Sequence, residues 1–447
     1  MLSRFVRPIT AAALALTAFP AAAAPDRAAV TQLFTDADRA CKRDHGALWG
    51  ISLCGPIFVV DYTDQKLLAN QADAGGVLKH DGALWGGVLP DSVIIANTPT
   101  DWSGTHWTQI VVPVPDEAEH RQVMIAHELF HRIQPRLGLI RPETSNKHLD
   151  TLEGRYFMQL EWRALAKALQ AGQLGVGGAA ARRAALADAI GFRRWRYSLF
   201  PDAAHDEAAL EVAEGVPEYT GVRLGLATPT ERIAYAVRDL SAFVDAPTFV
   251  RSFAYAIGPA YGLMLDDADP AWRHKLNSGR RLDELLADAM KLDLPAGDAV
   301  AARARLYDDG TLRTHEEQRD RERQARLAAY KARLVDGAVL ILPVKHGNYQ
   351  FNPQTLVPLE GYGTIYPTMR LTDDWGALEI DHGGCLIREA DKQATVTAKG
   401  ADSVGTSGDG WRLTLNKGWQ VRPGARPGDL TVVQADAPEN APAKAKP

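Results

Sequence analysis

The chain has 447 residues, of which 46% are hydrophobic and 23% are charged. This composition is typical of a globular protein with more than one core, and it excludes a disordered or fibrous chain. The 55 acidic residues outnumber the 50 basic ones, which gives a formal net charge of −5. Because nucleic-acid-binding proteins need a basic surface to bind phosphates, we expect no nucleic-acid partner.

The first residues have the pattern of a secretory signal peptide. Arg4 and Arg7 precede a short apolar run that ends in small residues at 22–24. The run is too short to span a bilayer comfortably, so we expect residues 1–24 to be removed on export. The remaining chain is then expected to have no stable membrane insertion. The sequence predicts a periplasmic or secreted bacterial protein.

Three cysteines follow this segment, at Cys41, Cys54 and Cys385. In an oxidising compartment, the near pair Cys41 and Cys54 is expected to form a disulfide that closes a short loop. Cys385 then has no partner. We interpret it as a small buried hydrophobic residue without a chemical role.

The predicted elements begin with a helix over 27–44. Three Val/Ile-rich strands, bounded by Gly, Pro, Asp or Asn, are predicted over 56–62, 88–97 and 105–115. Over 116–335, apolar residues recur at helical spacing. Strands that come first and helices that follow predict an α+β domain rather than alternating βαβ units.

The last part of the chain returns to β structure. Residues 314–335 are dense in alternating charges, which is typical of a solvated helix that links two bodies. Short alternating runs separated by Gly, Asp and Pro then predict a small β-sandwich or barrel over 336–434. Residues 435–447 are expected to form a disordered tail.

The segment VMIAHELFHRIQ carries the strongest chemical signal. It places His127, Glu128 and His131 in the pattern H-E-x-x-H. Residues four apart lie on one face of a helix, so both imidazoles can bind the same metal ion. A hydrolytic Zn²⁺ site takes three protein ligands and keeps one position for water. Glu128, next to the first histidine, is the predicted general base.

This motif, with the strand-like segment WTQIVVPVP before it, resembles the active-site helix of the zincin metallopeptidases. The resemblance implies Zn²⁺ as the cofactor and a peptide or protein as the substrate. It also implies that the preceding strand pairs with the substrate. We therefore expect a zincin-like catalytic domain over 25–313, built from a small N-terminal sheet and a helical body, ahead of the charged helix and the all-β domain.

A catalytic zinc needs a third protein ligand. The segment LEVAEGVPEYTG resembles the E-G-x-x-E-Y segment of gluzincins, in which the Glu before Gly binds the metal, and this implies Glu214. On a continuous helix, Glu211, Glu214 and Glu218 would share a face, and the two further acids would be able to orient a histidine. Pro217 interrupts such a helix, which bears on the placement of Glu218.

Two other acids remain alternatives for the third ligand. Glu153 and Glu161 follow His131 by 22 and 30 positions, nearer to the spacing of compact gluzincins. A peptidase also needs a hydrogen-bond donor for the oxyanion. The segment FAYAIGPAYGLML resembles the Y-x-x-G helix of gluzincins of the aminopeptidase N and leukotriene hydrolase type. This resemblance implies Tyr255 as the donor, with Tyr261 as a substitute.

The sequence thus predicts an exported zinc-dependent peptidase of gluzincin type. In this prediction His127, His131 and Glu214 hold the ion, Glu128 is the base and Tyr255 is the oxyanion donor. Two alternatives stay open. One is a non-catalytic surface or periplasmic binding module on a degenerate zincin scaffold, and the other is a zinc hydrolase of non-peptide amides or esters. The sequence carries no signal for an oligomeric state.

Overall fold

The computed structural model describes residues 26–435 except residues 91, 143, 353 and 354. The predicted signal peptide and all but the first residue of the predicted tail lie outside the described residues. Within them, a first helix precedes a mixed sheet, a helical body and a β region of two sheets. The predicted α+β class is confirmed.

The chain forms two compact units. The first comprises the residues up to Asn146, Glu161–Val244 and Arg251–Val300. The second comprises Lys147–Leu160, Asp245–Val250 and the residues from Ala301 onward. The domain boundaries expected from the sequence, at 313 and 335, stay predictions.

The first unit begins with helix α1 (Arg27–Asp44), as predicted. Its start is stabilised by Asp26, whose carboxylate accepts a hydrogen bond from the backbone N–H of Ala28 at 3.0 Å. Cys41, near the end of α1, forms a disulfide with Cys54, which confirms the predicted pair. Cys385, in the second unit, is a free and buried cysteine, as expected.

A six-stranded sheet follows α1. Its strands are β1 (Ile57–Val60), β2 (Lys66–Ala69), β3 (Lys79–Asp81), β4 (Leu84–Val88), β5 (Thr98–Trp102) and β6 (Thr105–Val111). Their spatial order is β3-β4-β2-β1-β6-β5. β1 and β6 are parallel and the other neighbours are antiparallel. Phe58, Leu67 and Trp107 belong to the hydrophobic cluster of this sheet.

The strand predicted over 88–97 is wrong, because most of this segment is a connection between β4 and β5. Val88 and Ile94 are 56% and 81% exposed. Leu89, by contrast, is buried in the hydrophobic cluster of this sheet, and Val93 and Ile95 pack against that cluster. The amide nitrogen of Gln109 donates to the carbonyls of Ile94 and Ala96, at 3.0 and 2.7 Å. A side chain therefore satisfies backbone groups that a strand would pair with a neighbouring strand.

Helices make up the next part of the chain. In order they are α2 (Ala118–Ile133), α3 (Leu152–Gly172), α4 (Ala179–Leu199), α5 (Ala203–Leu210), α6 (Val216–Gly225), α7 (Pro229–Ala242), α8 (Ser252–Ala268), α9 (Trp272–Lys275), α10 (Leu282–Met290), α11 (Asp298–Ala304) and α12 (Thr311–Lys331). Among the described residues, every helix is too short or too polar to cross a membrane.

The charged segment predicted as a helix is α12, which lies in the second unit. It is not solvated on every side, because Glu316 is buried and accepts hydrogen bonds from Arg155 and Gln159 of α3, at 3.0 and 2.6 Å. These contacts lie within the second unit. One face of the charged helix therefore packs against the first turns of α3.

The rest of the second unit is the β region. Its strands are β7 (Val339–Pro343), β8 (Asn348–Phe351), β9 (Val357–Leu359), β10 (Gly363–Tyr366), β11 (Met369–Asp373), β12 (Gly376–Ile380), β13 (Cys385–Arg388), β14 (Gln393–Thr397), β15 (Ser407–Gly408), β16 (Trp411–Leu415), β17 (Trp419–Pro423) and β18 (Leu430–Gln434). They form a seven-stranded sheet, β17-β18-β7-β14-β13-β10-β9, and a five-stranded sheet, β15-β16-β12-β11-β8. Both sheets contribute to one hydrophobic cluster, with Leu340 and Val396 from the first and Leu371 and Leu378 from the second.

Helices α2 and α6 approach closely because α6 carries glycine where the two meet. A Cβ atom on Gly221 would lie 2.6 Å from the carbonyl oxygen of Val123. A Cβ atom on Gly225 would lie 2.7 Å from the carbonyl oxygen of Gln122. Both obstacles are backbone atoms of α2, which cannot turn aside as a side chain can. The glycines thus allow α6 to lie directly against the helix that carries H-E-x-x-H.

This contact predicts the effect of a single methyl group. We expect Gly221→Ala to lower the free energy of unfolding by about 1–3 kcal/mol, because overpacking against backbone outweighs the gain in helix propensity. Urea unfolding checks it. Gly177→Ala is the matched control, since a Cβ atom there would meet nothing within 4 Å. A Gly221→Ala variant as stable as the control would contradict the packing argument.

Candidate metal centre

Helix α2 presents both histidines of the motif on one face. The Nε2 atoms of His127 and His131 are 2.9 Å apart. The Oε2 atom of Glu214 lies 3.6 Å from the first and 3.7 Å from the second. His127 is buried, and the other two residues are half-buried. The structure thus brings together the three residues predicted to bind zinc, in an arrangement able to hold a metal ion.

Glu214 reaches the histidines from a single π turn, Glu211–Gly215, between α5 and α6. The turn packs directly on α8, where a Cβ atom on Gly258 would lie 2.1 Å from the carbonyl oxygen of Gly215. Single π turns inside helices occur frequently at functional sites. Here the wider turn changes which side chains share a face.

The predicted common face of three acids is therefore wrong for Glu211. Its carboxylate lies 2.7 Å from the guanidinium of Arg193, in a separate buried cluster. Glu218 does turn towards the histidines, and its Oε2 atom lies 2.7 Å from Nδ1 of His127. Pro217 does not disturb this placement, because it lies in the first turn of α6, where a proline is tolerated.

Each histidine has an oxygen partner on its outer nitrogen. Glu218 accepts from Nδ1–H of His127, and Gln134 lies 2.8 Å from Nδ1 of His131 through its Oε1 atom. Such partners fix the tautomer and the orientation of a metal-binding imidazole. Sequence reasoning missed Gln134. Its position three residues after His131, on the same face of the chain, was the available signal.

The two Nε2 atoms require a positive charge between or on them. With Nδ1–H donating outwards on both rings, each Nε2 atom presents a lone pair to the other across 2.9 Å. Burial opposes a charged imidazole, yet the carboxylates of Glu214 and Glu218 raise the pKa of His127 to about 10. Burial works in the opposite direction on Glu214, but its histidine and tyrosine partners hold the pKa of its carboxyl well below the usual range.

Glu128 supplies a further observation that fits a metal ion. Glu128 is only 7% exposed, and its Oε2 atom has no hydrogen-bond partner among the described residues. Burial raises the pKa of Glu128, although His127 and His131 oppose this. An unpaired buried carboxylate oxygen is costly unless something absent from the chain itself completes its environment. A hydrated cation beside the imidazoles would do so.

Tyr255 of α8 lies against the same group. Its hydroxyl donates to Oε2 of Glu214 at 2.7 Å, and its ring stacks on His127 with 5.7 Å between centroids. Arg251, one residue before α8, lies 3.2 Å from the other Glu214 oxygen, Oε1. Glu214 is thus held on both oxygens by residues at the start of α8.

The alternative residues lie in other contacts. Glu153 pairs with Arg313 at 2.7 Å, within the second unit. Glu161 pairs with Arg193 at 2.8 Å, and Tyr261 donates to the same carboxylate at 2.9 Å. None of the three belongs to the group of potential ligands around the two histidines.

The described residues hold a second group with potential ligand atoms close together. His346, Asp373 and Asp374 lie in the β region, and two of the three are exposed. Exposed acids with a histidine are common without a metal ion. The centre on α2 differs from it in burial and in the fixed outer partners of both imidazoles.

A buried charge cluster lies behind the π turn. Four carboxylates, of Glu161, Glu207, Glu211 and Asp283, face three guanidinium groups, of Arg193, Arg196 and Arg281. The acids therefore outnumber the cations. Burial raises the pKa of Glu211 to about 8, against the opposing effect of Arg193. One proton thus compensates for the missing positive charge.

This cluster predicts a pH dependence of stability. The folded chain keeps a proton on Glu211 that the unfolded chain releases near pH 4.5, so stability from this group is lost as the pH rises towards 8. Glutamine cannot release this proton. We therefore expect Glu211→Gln to reduce the fall of the unfolding free energy with pH by up to about 1.4 kcal/mol per pH unit. Unfolding measured in urea from pH 5 to 8 checks it. Parallel profiles of the variant and the wild type would contradict it.

Comparison with protein-family models, with curated proteins and with solved structures found no match for this chain. The resemblance to zincins therefore rests on the motifs quoted above.

Proposed function

We propose that this protein is an exported zinc-dependent peptidase of gluzincin type. The observation that carries the proposal is the convergence of three potential ligands, His127, His131 and Glu214, beside an unpaired buried carboxylate oxygen of Glu128. The Cys41–Cys54 disulfide supports export, because disulfides persist in oxidising compartments.

The donor set favours zinc over other common ions. Two imidazoles and one carboxylate are a ligand set of hydrolytic zinc sites, whereas calcium and magnesium prefer oxygen ligands alone. His127, His131 and Glu214 would hold the ion. When bound, Zn²⁺ polarises a substrate carbonyl and makes a water molecule more acidic.

Glu128 is the residue that moves protons in this proposal. It follows His127 on α2 and is not engaged by another side chain through Oε2. Burial shifts the pKa of Glu128 towards neutral pH. A general base is most effective when its pKa lies near the working pH. Glu128 takes a proton from the attacking water and later gives it to the departing amine.

Tyr255 is placed to donate a hydrogen bond to the oxyanion. Burial and the neighbouring Glu214 raise the pKa of its hydroxyl, so it keeps its proton across the working pH range. The hydroxyl donates to Oε2 of Glu214, the oxygen that also lies nearest to the imidazoles. A substrate oxygen at this point would compete for the same proton.

The role of Glu128 predicts a separation of turnover from metal binding. Glu128→Gln should retain one zinc per chain and lower peptide cleavage by at least about 10²-fold, since the amide cannot accept the proton. Zinc analysis and cleavage of a peptide library measure both. Glu119→Gln, an exposed change on the same helix, should leave both unchanged.

Two results would contradict the proposal. One is a wild-type protein that retains no zinc after purification in zinc-containing buffer. The other is peptide cleavage by Glu128→Gln at the wild-type rate. Zinc retention with cleavage of amide or ester probes, but of no peptide, would instead identify the non-peptide hydrolase.

The role of Tyr255 predicts a second loss of rate. Tyr255→Phe keeps the ring that stacks on His127 and removes only the hydroxyl, so zinc should stay bound while kcat falls by about 10²-fold. Tyr261→Phe distinguishes the two predicted donors, because its hydroxyl bonds to Glu161 instead. A loss of kcat in Tyr261→Phe with normal turnover in Tyr255→Phe would reverse the assignment.

A further inference from the structure

Gln134 connects the second histidine to the turn that carries Glu214. It follows the last residue of α2 and is only 4% exposed. Its Oε1 atom lies 2.8 Å from Nδ1 of His131. Its Nε2 atom donates to the carbonyl of Val212, in the π turn, at 2.9 Å, and more weakly to the carbonyl of Leu139 at 3.3 Å.

These contacts fix the orientation of the amide. Backbone carbonyls only accept hydrogen bonds, so the nitrogen of Gln134 has to face Val212 and Leu139. The amide oxygen is left for His131, where it can only accept a proton from Nδ1. Nε2 of His131 is then the nitrogen with a free lone pair, and it faces Nε2 of His127.

The carbonyl of Val212 needs this donor because of the sequence of the π turn. Within the turn, the backbone N–H of Val216 donates to the carbonyl of Glu211, five residues earlier. In the same register the next donor, for Val212, would be residue 217, which is a proline and has no N–H. The side chain of Gln134 supplies the hydrogen bond that Pro217 cannot make.

We propose that Gln134 is a positioning residue of the metal centre, an inference that rests on the proposed function for its catalytic consequence. Gln134 holds His131 in the tautomer that binds metal through Nε2. It also ties this ring to the π turn, so that His131 and Glu214 keep a fixed separation. Glu218 fixes the tautomer of His127 in the same way, but it reaches that imidazole from α6. Gln134, by contrast, directly follows α2, the helix that carries both histidines.

Gln134→Met tests the assignment, because methionine has a similar length and no amide. We expect zinc affinity, measured by competition with a chelator, to fall by about 10–100-fold. In the metal-free protein, ¹⁵N NMR should detect Nδ1–H on His131 of the wild type and a mixture of tautomers in the variant. Gln159→Met is the control, since Gln159 is a buried amide bonded to Glu316 in the second unit.

A second variant separates positioning from simple support of the fold. Pro217→Ala restores a backbone N–H for Val212, so Gln134→Met/Pro217→Ala should recover thermal stability while zinc affinity stays low. Recovery of zinc affinity together with stability would overturn the proposal. So would zinc affinity of Gln134→Met within twofold of the wild type.

The two proposals fail in different ways. If the wild type binds no zinc, the proposed function fails, and the tautomer of His131 still decides the role of Gln134. If the wild type binds zinc and Glu128→Gln loses turnover, but Gln134→Met leaves both zinc affinity and the tautomer unchanged, only the role of Gln134 is excluded.

Discussion

Two imidazole nitrogens face each other across 2.9 Å in the interior of this protein, and a carboxylate oxygen lies less than 4 Å from both. The outer nitrogens of the two rings point to oxygen acceptors, on Glu218 and Gln134. While both rings are neutral, neither inner nitrogen has a proton to offer the other. The arrangement is stable only with a positive charge at its centre, and this requirement links the fold to the proposed chemistry.

The fold meets this requirement through close approaches of backbone. Glycines at 221 and 225 let α6 lie against α2, and Gly258 lets the π turn lie against α8. The turn then directs Glu214 towards the histidines and Glu211 towards Arg193. Neighbouring acids thus serve two environments: one beside a candidate ion, the other in a buried cluster that retains a proton.

Much of this centre was predictable because its signals are local. The spacing of His127 and His131 places both on one helical face in any α-helix, and the likeness of EGVPEY to a known segment indicated Glu214. The π turn was not predictable, since one extra residue per turn leaves no mark in apolar periodicity. The continuous-helix prediction therefore misplaced Glu211. The prediction of a strand over 88–97 was wrong for another reason. Its Val and Ile residues are typical of strands, but the side-chain amide of Gln109, distant in sequence, donates hydrogen bonds to its backbone carbonyls.

The central claim is that one ion binds between the paired imidazoles and Glu214. A crystal structure of the zinc-loaded protein, with anomalous data on both sides of the zinc absorption edge, tests it most directly. The account predicts a single strong zinc peak about 2.0–2.2 Å from Nε2 of His127, Nε2 of His131 and a Glu214 oxygen. A map without a peak there, or with zinc only at the exposed group of His346, would contradict it.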